Sequence, residues 1–270
     1  MSDDPRKTGD NALENDEPEM SFLEHLEELR WRIIRSLLGI VVGAIICWIF
    51  IDQIMNEVLL QPVLKVNSNL APGEQPITLQ NLKPFGQVLL YMEVALIGGV
   101  IIAIPYLLYE IWAFIAPGLL LKERKHVSSI VIFSSFCFLA GIAFAYFIMM
   151  PTAMKFFAGF GTTEIENNIA IDEYMSFVIS VMLGAGLVFE LPMVSWFLSK
   201  LGILTPAFMR HYRRHAIVII LVLAAILTPG TDPVSQILLA IPLLLLYELS
   251  IGISKMAWRS KEKKENDLST

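Results

Sequence analysis

Six apolar blocks, separated by polar connectors, organise this chain of 270 residues. Ile33–Ile51, Val88–Ile115, Val127–Met150 and Tyr174–Leu198 are each long enough to cross a hydrocarbon core of about 30 Å, which takes roughly 20 helical residues. A shorter block, Ala216–Thr228, and a final one, Val234–Ile253, complete six predicted spans. The pattern predicts an all-α polytopic membrane protein with one transmembrane domain, residues 21–258. A disordered tail over residues 1–20 precedes it and a tail over 259–270 follows. The fifth block is short: about 14 residues at about 1.5 Å each reach only about 20 Å, which predicts local bilayer thinning or a polar funnel there.

Polar positions mark where the spans begin and bend. Ser21 with Glu24 three residues later is a capping-box pattern that predicts a helix start at Ser21. Phe22, Leu26, Leu29 and Ile33 form one apolar stripe, with Glu24, Glu27, Glu28 and Trp31 opposite it, which predicts an amphipathic helix on the membrane surface bending into the first span. Pro105, Pro192 and Pro242 lie inside spans and predict helix kinks, because each lacks an N–H and crowds the carbonyl four residues back. The connectors Asp52–Gln87 and Pro151–Glu173 are long for a compact bundle and predict caps with short helices of their own.

Composition agrees: 55% of residues are hydrophobic and 17% charged, with a mean hydropathy of +0.62. Charge adds orientation. Of the 20 Lys and Arg residues, 17 fall in the two tails and the even-numbered connectors, and only Lys65, Lys83 and Lys155 in the odd-numbered ones. The positive-inside rule then places both termini in the cytoplasm. The first twenty residues are acidic and lack an apolar core, so they read as a cytoplasmic tail and not as a cleavable signal. Cys47 and Cys137 both lie inside spans and read as small apolar fillers.

Candidate chemistry is sparse. Glu190, in LVFELPMVSWF, is an acid inside the fourth span, where an ionised carboxylate costs several kcal/mol unless paired, hydrated or protonated. It fits either a proton relay or a docking point for a polar group on another transmembrane helix. Glu24, Glu27 and Glu28 stand where a cation would arrive from the cytoplasm. In the second connector, Pro117-Gly118 breaks the helix and sets Phe114 and Leu119–Leu121 beside Glu123, an apolar shelf next to an acid. There is no H-E-x-x-H, G-x-S-x-G or P-loop motif; His211 and His215 lack a third ligand, so neither an enzyme nor a metal site is expected, nor any cofactor or nucleic-acid partner. A proton-coupled carrier of small solutes is the alternative that Glu190 and the broken helices leave open, without repeat symmetry to support it.

Five stretches together resemble the TatC family, the largest membrane subunit of the twin-arginine translocase: HLEELRWR (His25–Arg32), AIPYLLYEIWAFIAPGLLLKERK (Ala103–Lys125), GIAFAYF (Gly141–Phe147), SFVIS with FELP further on (Ser176–Pro192), and LTPGTDPVSQILLAIP (Leu227–Pro242). The resemblance implies six helices forming a concave cup, and a receptor for signal peptides bearing two consecutive arginines on folded cargo. It further implies that Glu28 and Glu123 meet the arginine pair with Arg30, Phe114 and Leu119 beside them. Glu190, Gln236 and Asp232 would then serve docking of the single-helix partners TatA and TatB, in an inner-membrane complex that self-associates and draws on the proton-motive force. One departure is Gly230-Thr231, which lengthens a TPPD-type segment just before Asp232.

Overall fold

The computed structural model describes residues 22–71, 74–116, 127–159, 168–227 and 233–269. Helix α1 (Phe22–Ile49) packs along α4 (Gly86–Ile115) in the most extensive helix pair among the described residues. Small residues permit this approach. A Cβ placed on Gly43 would lie 2.5 Å from the Gly99 carbonyl oxygen, and one on Gly99 would collide with the Ala44 backbone nitrogen. Between these helices run α2 (Ile51–Gln53), a π-helical turn (Ile54–Leu59), α3 (Gln61–Asn67) and strand β1 (Thr78–Gln80). Helix α5 (Val127–Phe144) continues through a second π-helical turn (Ala145–Met149) into α6 (Met150–Gly159). Strand β2 (Asn168–Ala170) then leads into α7 (Ile171–Phe189) and α8 (Leu191–Leu201). The short α9 (Pro206–His211), α10 (Arg213–Leu227) and the long α11 (Pro233–Ser269) complete the chain.

The two predicted caps exist and are joined to each other. β1 and β2 pair in parallel, Thr78 opposite Asn168, and this three-residue ladder is the one exception to an otherwise helical fold among the described residues. Asn67 bonds Ile77 in both directions, its amide to the carbonyl at 2.8 Å and the backbone N–H to its own oxygen at 2.9 Å. Tyr146 and Tyr174 donate to the carbonyls of Val58 (2.9 Å) and Leu59 (2.7 Å), where the π-helical turn leaves backbone oxygens accessible. Lys83 pairs with Asp172 at 2.5 Å. The largest apolar cluster sits beneath this cap, with Met150, Met154 and Met175 almost fully buried beside Val178 and Ala145. A smaller cluster holds the opposite end, where Trp112 meets Phe197 edge-on at 4.8 Å.

Several expectations change in the structure. Among the described residues, five helices are long and apolar enough to cross a membrane: Leu23–Ile49, Gly86–Ile115, Ser128–Gly159, Ile171–Leu201 and Leu239–Arg259. The fifth predicted span is α10, whose 15 residues reach about 22 Å. It lies antiparallel to α11, with Arg213 paired to Glu248 and Gln236 bonded to the Leu221 carbonyl. Helix α1 runs uninterrupted over 28 residues, from the predicted surface segment into the first predicted span. Leu26 and Ile33 of its apolar stripe are exposed, as are Glu24, Glu27 and Trp31, while Glu28 and Arg32 turn toward α4. In a membrane the lipid takes the apolar side and the protein keeps the charges. Pro192 stands at the interruption between α7 and α8, and Pro105 and Pro242 lie within α4 and α11. Ser21 lies outside the described residues, and α11 continues through Ser269, past the predicted boundary at 258.

Two outcomes follow from this packing. Gly99→Val forces Cβ into the α1 backbone and should cost about 1–3 kcal/mol, as overpacking does, read as reduced thermal stability and loss of monodisperse protein in detergent. Lys83→Ala should lower thermal stability slightly, with the difference vanishing at high salt because the pair is exposed. Asp172 beside it holds the Lys83 ammonium above its usual range. That contribution is complete below the ordinary lysine value and fades only as pH rises through the raised one, so a melting comparison between pH 6 and pH 8 should find it constant.

Candidate functional site

Two carboxylate centres stand out, one at the end of the α1–α4 pair and one between α7 and α8. At the first, Arg32 lies between two acids. Its Nε donates to Oε1 of Glu28 at 3.0 Å, Nη2 donates to the same oxygen, and Nη1 donates to Oε2 of Glu110 at 3.1 Å. Helical spacing explains the first contact, because residues four apart share a face. The second joins residues 78 apart in sequence, on two different helices. Exposure falls inward, from 24% for the Glu28 side chain through 17% for Arg32 to 4% for Glu110. Tyr106, one turn before Glu110, sits against its carboxylate. Leaving Glu110 buried without Arg32 would cost about 3–5 kcal/mol.

Two carboxylates here share one guanidinium, with Arg35 within electrostatic reach of Tyr106 beside them, and one acceptor has no donor among the described residues. Oε2 of Glu28 is shielded from solvent and has no hydrogen-bond partner among the described residues. Beside it, His25 stacks on Phe114 with ring centroids 4.4 Å apart and planes 18° from parallel, fixing the end of α1 against the end of α4. The structure therefore brings Glu28 and Phe114 into one neighbourhood. Arg30 is exposed and makes no ion pair among the described residues. Leu119 and Glu123 lie outside the described residues. Sequence reasoning does not single out Arg32 and Glu110, although Glu110 in AIPYLLYEIW meets the same criterion as Glu190, an acid inside an apolar run.

The second centre is Glu190, the residue that ends α7 and precedes α8, with φ −76° and ψ −17°. Pro192 explains the break: it brings no N–H to the ladder and crowds the Val188 carbonyl. Hydrogen bonding resumes with Val194 N–H donating to the Glu190 carbonyl at 2.9 Å. The buried Ser134 hydroxyl of α5 donates to Oε2, and Oε1 is shielded without a partner among the described residues. Cys137, one turn along α5, lies close by. Such a carboxylate can accept a donor from another helix or hold a proton. Gln236 is elsewhere occupied, donating through Nε2 to the Leu221 carbonyl at 3.0 Å, and no hydrogen bond joins it to Glu190 among the described residues. Asp232 lies outside the described residues. No group of three or more His, Cys, Asp or Glu side chains converges as a metal site among the described residues.

Comparison with known proteins places this geometry. The family model for the Sec-independent protein translocase protein (TatC) matches residues 24–242. A relative named Sec-independent protein translocase protein TatC from Carboxydothermus hydrogenoformans is 40% identical over 236 residues, covering 87% of this chain and 93% of that protein. One of the same name from Aquifex aeolicus is 38% identical, covering 90% of this chain and 98% of its own length. A crystal structure of a twin-arginine translocase receptor, TatC, superposes with a TM-score of 0.75 at 38% identity, covering 87% of this chain and 99% of that one. A second, of the same receptor in the detergent DDM, gives 0.76 at 37%, covering 86% of this chain and 99% of that one. The chain is a multi-pass membrane protein and belongs to the TatC family of Sec-independent protein translocase components.

Proposed function

We propose that this protein is the receptor subunit of a twin-arginine translocase in the cell inner membrane, with both termini cytoplasmic. It binds signal peptides bearing two arginines and recruits TatA- and TatB-type single-helix partners for export of folded cargo driven by the proton-motive force. The observation that carries this reading is the shielded oxygen of Glu28 that no described residue bonds, in a cluster of two carboxylates about one guanidinium beside the Phe114–His25 stack. Likeness to a solved twin-arginine translocase receptor supports it. Exposed ion pairs contribute only about 0–1 kcal/mol each and would not select a peptide. A half-buried carboxylate with an apolar neighbour does better, since a guanidinium can meet it with two parallel N–H donors. Arg30, Leu119 and Glu123 complete the proposed peptide site, and the bundle is expected to enclose a six-helix cup.

Glu190 is the proposed docking group for partner helices, with Gln236 and Asp232 as further polar contacts. Its support is a shielded oxygen at a helix break, without a partner among the described residues, where a donor from a neighbouring transmembrane helix would be favoured over hydrocarbon. The larger assembly is expected to contain several copies of this chain.

With a photoreactive residue at Phe114, a labelled signal peptide carrying Arg-Arg should crosslink about tenfold more than its Lys-Lys counterpart, because lysine lacks the planar fork. Equal crosslinking of the two would sink the receptor reading and favour a solute carrier. Glu190→Ala should weaken copurification of the single-helix partners while leaving peptide crosslinking at Phe114 intact. Loss of the peptide signal alone would reverse that division of roles.

A further inference from the structure

We propose that Glu110 is a positioning residue for ligand recognition: it holds the Arg32 guanidinium off one oxygen of Glu28, leaving that shielded oxygen without a donor among the described residues and so available to a cationic group that enters the cluster. The inference rests on the reading that Glu28 receives a peptide arginine, and it assigns a role to a residue one step behind the contact.

The geometry of Arg32 points to it. A guanidinium facing a carboxylate in its best arrangement sets two parallel N–H groups on two oxygens. Arg32 does otherwise. Both Nε and Nη2 converge on Oε1 of Glu28, and Oε2 receives nothing among the described residues. The reason lies on the far side of the guanidinium, where Nη1 is engaged by Glu110 at 3.1 Å. Glu110 is 4% exposed and belongs to α4, whose position against α1 is fixed by the Gly43–Gly99 approach. It is therefore an anchor that cannot follow Arg32 if Arg32 moves.

Arg32 is otherwise a built-in competitor. It sits four residues from Glu28 on the same helix, so it is always within reach, whereas a peptide arginine must arrive by diffusion. Neutralising Glu110 releases Nη1. Arg32 can then turn to cover both oxygens of Glu28, closing the acceptor.

The test measures binding of a labelled synthetic Arg-Arg signal peptide to the full chain in nanodiscs, by fluorescence anisotropy, for Glu28→Gln, Glu110→Gln and the double variant Arg32→Gln/Glu110→Gln. Glu110→Gln should weaken binding about tenfold, the worth of one charge-assisted hydrogen bond. The double variant, which removes the competitor as well as its anchor and keeps the charge balance, should return to within about twofold of the unmodified protein. A merely structural role for Glu110 would give no such rescue. Unchanged binding in Glu110→Gln overturns the proposal, as does weak binding in the double variant, and the double variant decides the matter even if Glu110→Gln does not fold. If Glu28→Gln binds as well as the unmodified protein, the receptor reading itself fails, an outcome distinct from the other two.

Discussion

A charge or an open backbone donor inside hydrocarbon costs several kcal/mol, and every notable polar feature of this chain answers that constraint. Arg32 cannot face lipid at the α1–α4 seam, so it lies between Glu28 and Glu110. Glu190 cannot stand alone, so the Ser134 hydroxyl meets one of its oxygens. The π-helical turns expose carbonyls, and Tyr146 and Tyr174 cover those of Val58 and Leu59. Even the α8–α11 contact carries buried serines whose hydroxyls satisfy each other, Ser199 to Ser254 at 2.6 Å. What remains unsatisfied is then informative. The two shielded side-chain acceptors without partners among the described residues are one oxygen of Glu28 and one of Glu190, the acids that the sequence marks independently.

The same constraint distinguishes two ion pairs that look alike in sequence. AIPYLLYE, ending at Glu110, and AIPLLLLYE, ending at Glu248, each place an acid a few residues after a proline. Each acid pairs with an arginine on an earlier helix, Arg32 in one case and Arg213 in the other. Burial separates them. Glu248 and Arg213 are about half exposed, so their attraction is screened and worth at most about 1 kcal/mol. Glu110 is enclosed, and its pairing is obligatory.

Much of this is legible in the sequence. Apolar blocks announce the long helices because lipid demands about 20 residues per crossing, a strong length signal. Glu190 is legible because an acid in a long apolar run has few reasons to be there. Pro192 is legible as an interruption because it brings no N–H to the backbone ladder. Arg32 is hidden because its charge serves topology equally well, a task any arginine can perform. Its pairing with Glu110 depends on the α1–α4 register, which glycines 43 and 99 set and which no local pattern reveals.

The distribution of packing bears on where the molecule can move. The capped end is fastened by a strand pair, the reciprocal Asn67–Ile77 bonds, two tyrosine-to-carbonyl bonds and the largest apolar cluster. The other end has a small aromatic cluster around Trp112 and Phe197, and a helix break at Glu190 where the backbone ladder is interrupted. Local opening draws on regions with fewer buried contacts and interrupted backbone bonding. The stiff cap is thus the fixed end of the fold, and α8 at the other end is held by its long packing against α11 and the Ser199–Ser254 bond. The Glu28–Arg32–Glu110 cluster lies on the α1–α4 pair, the most extensive helix contact among the described residues.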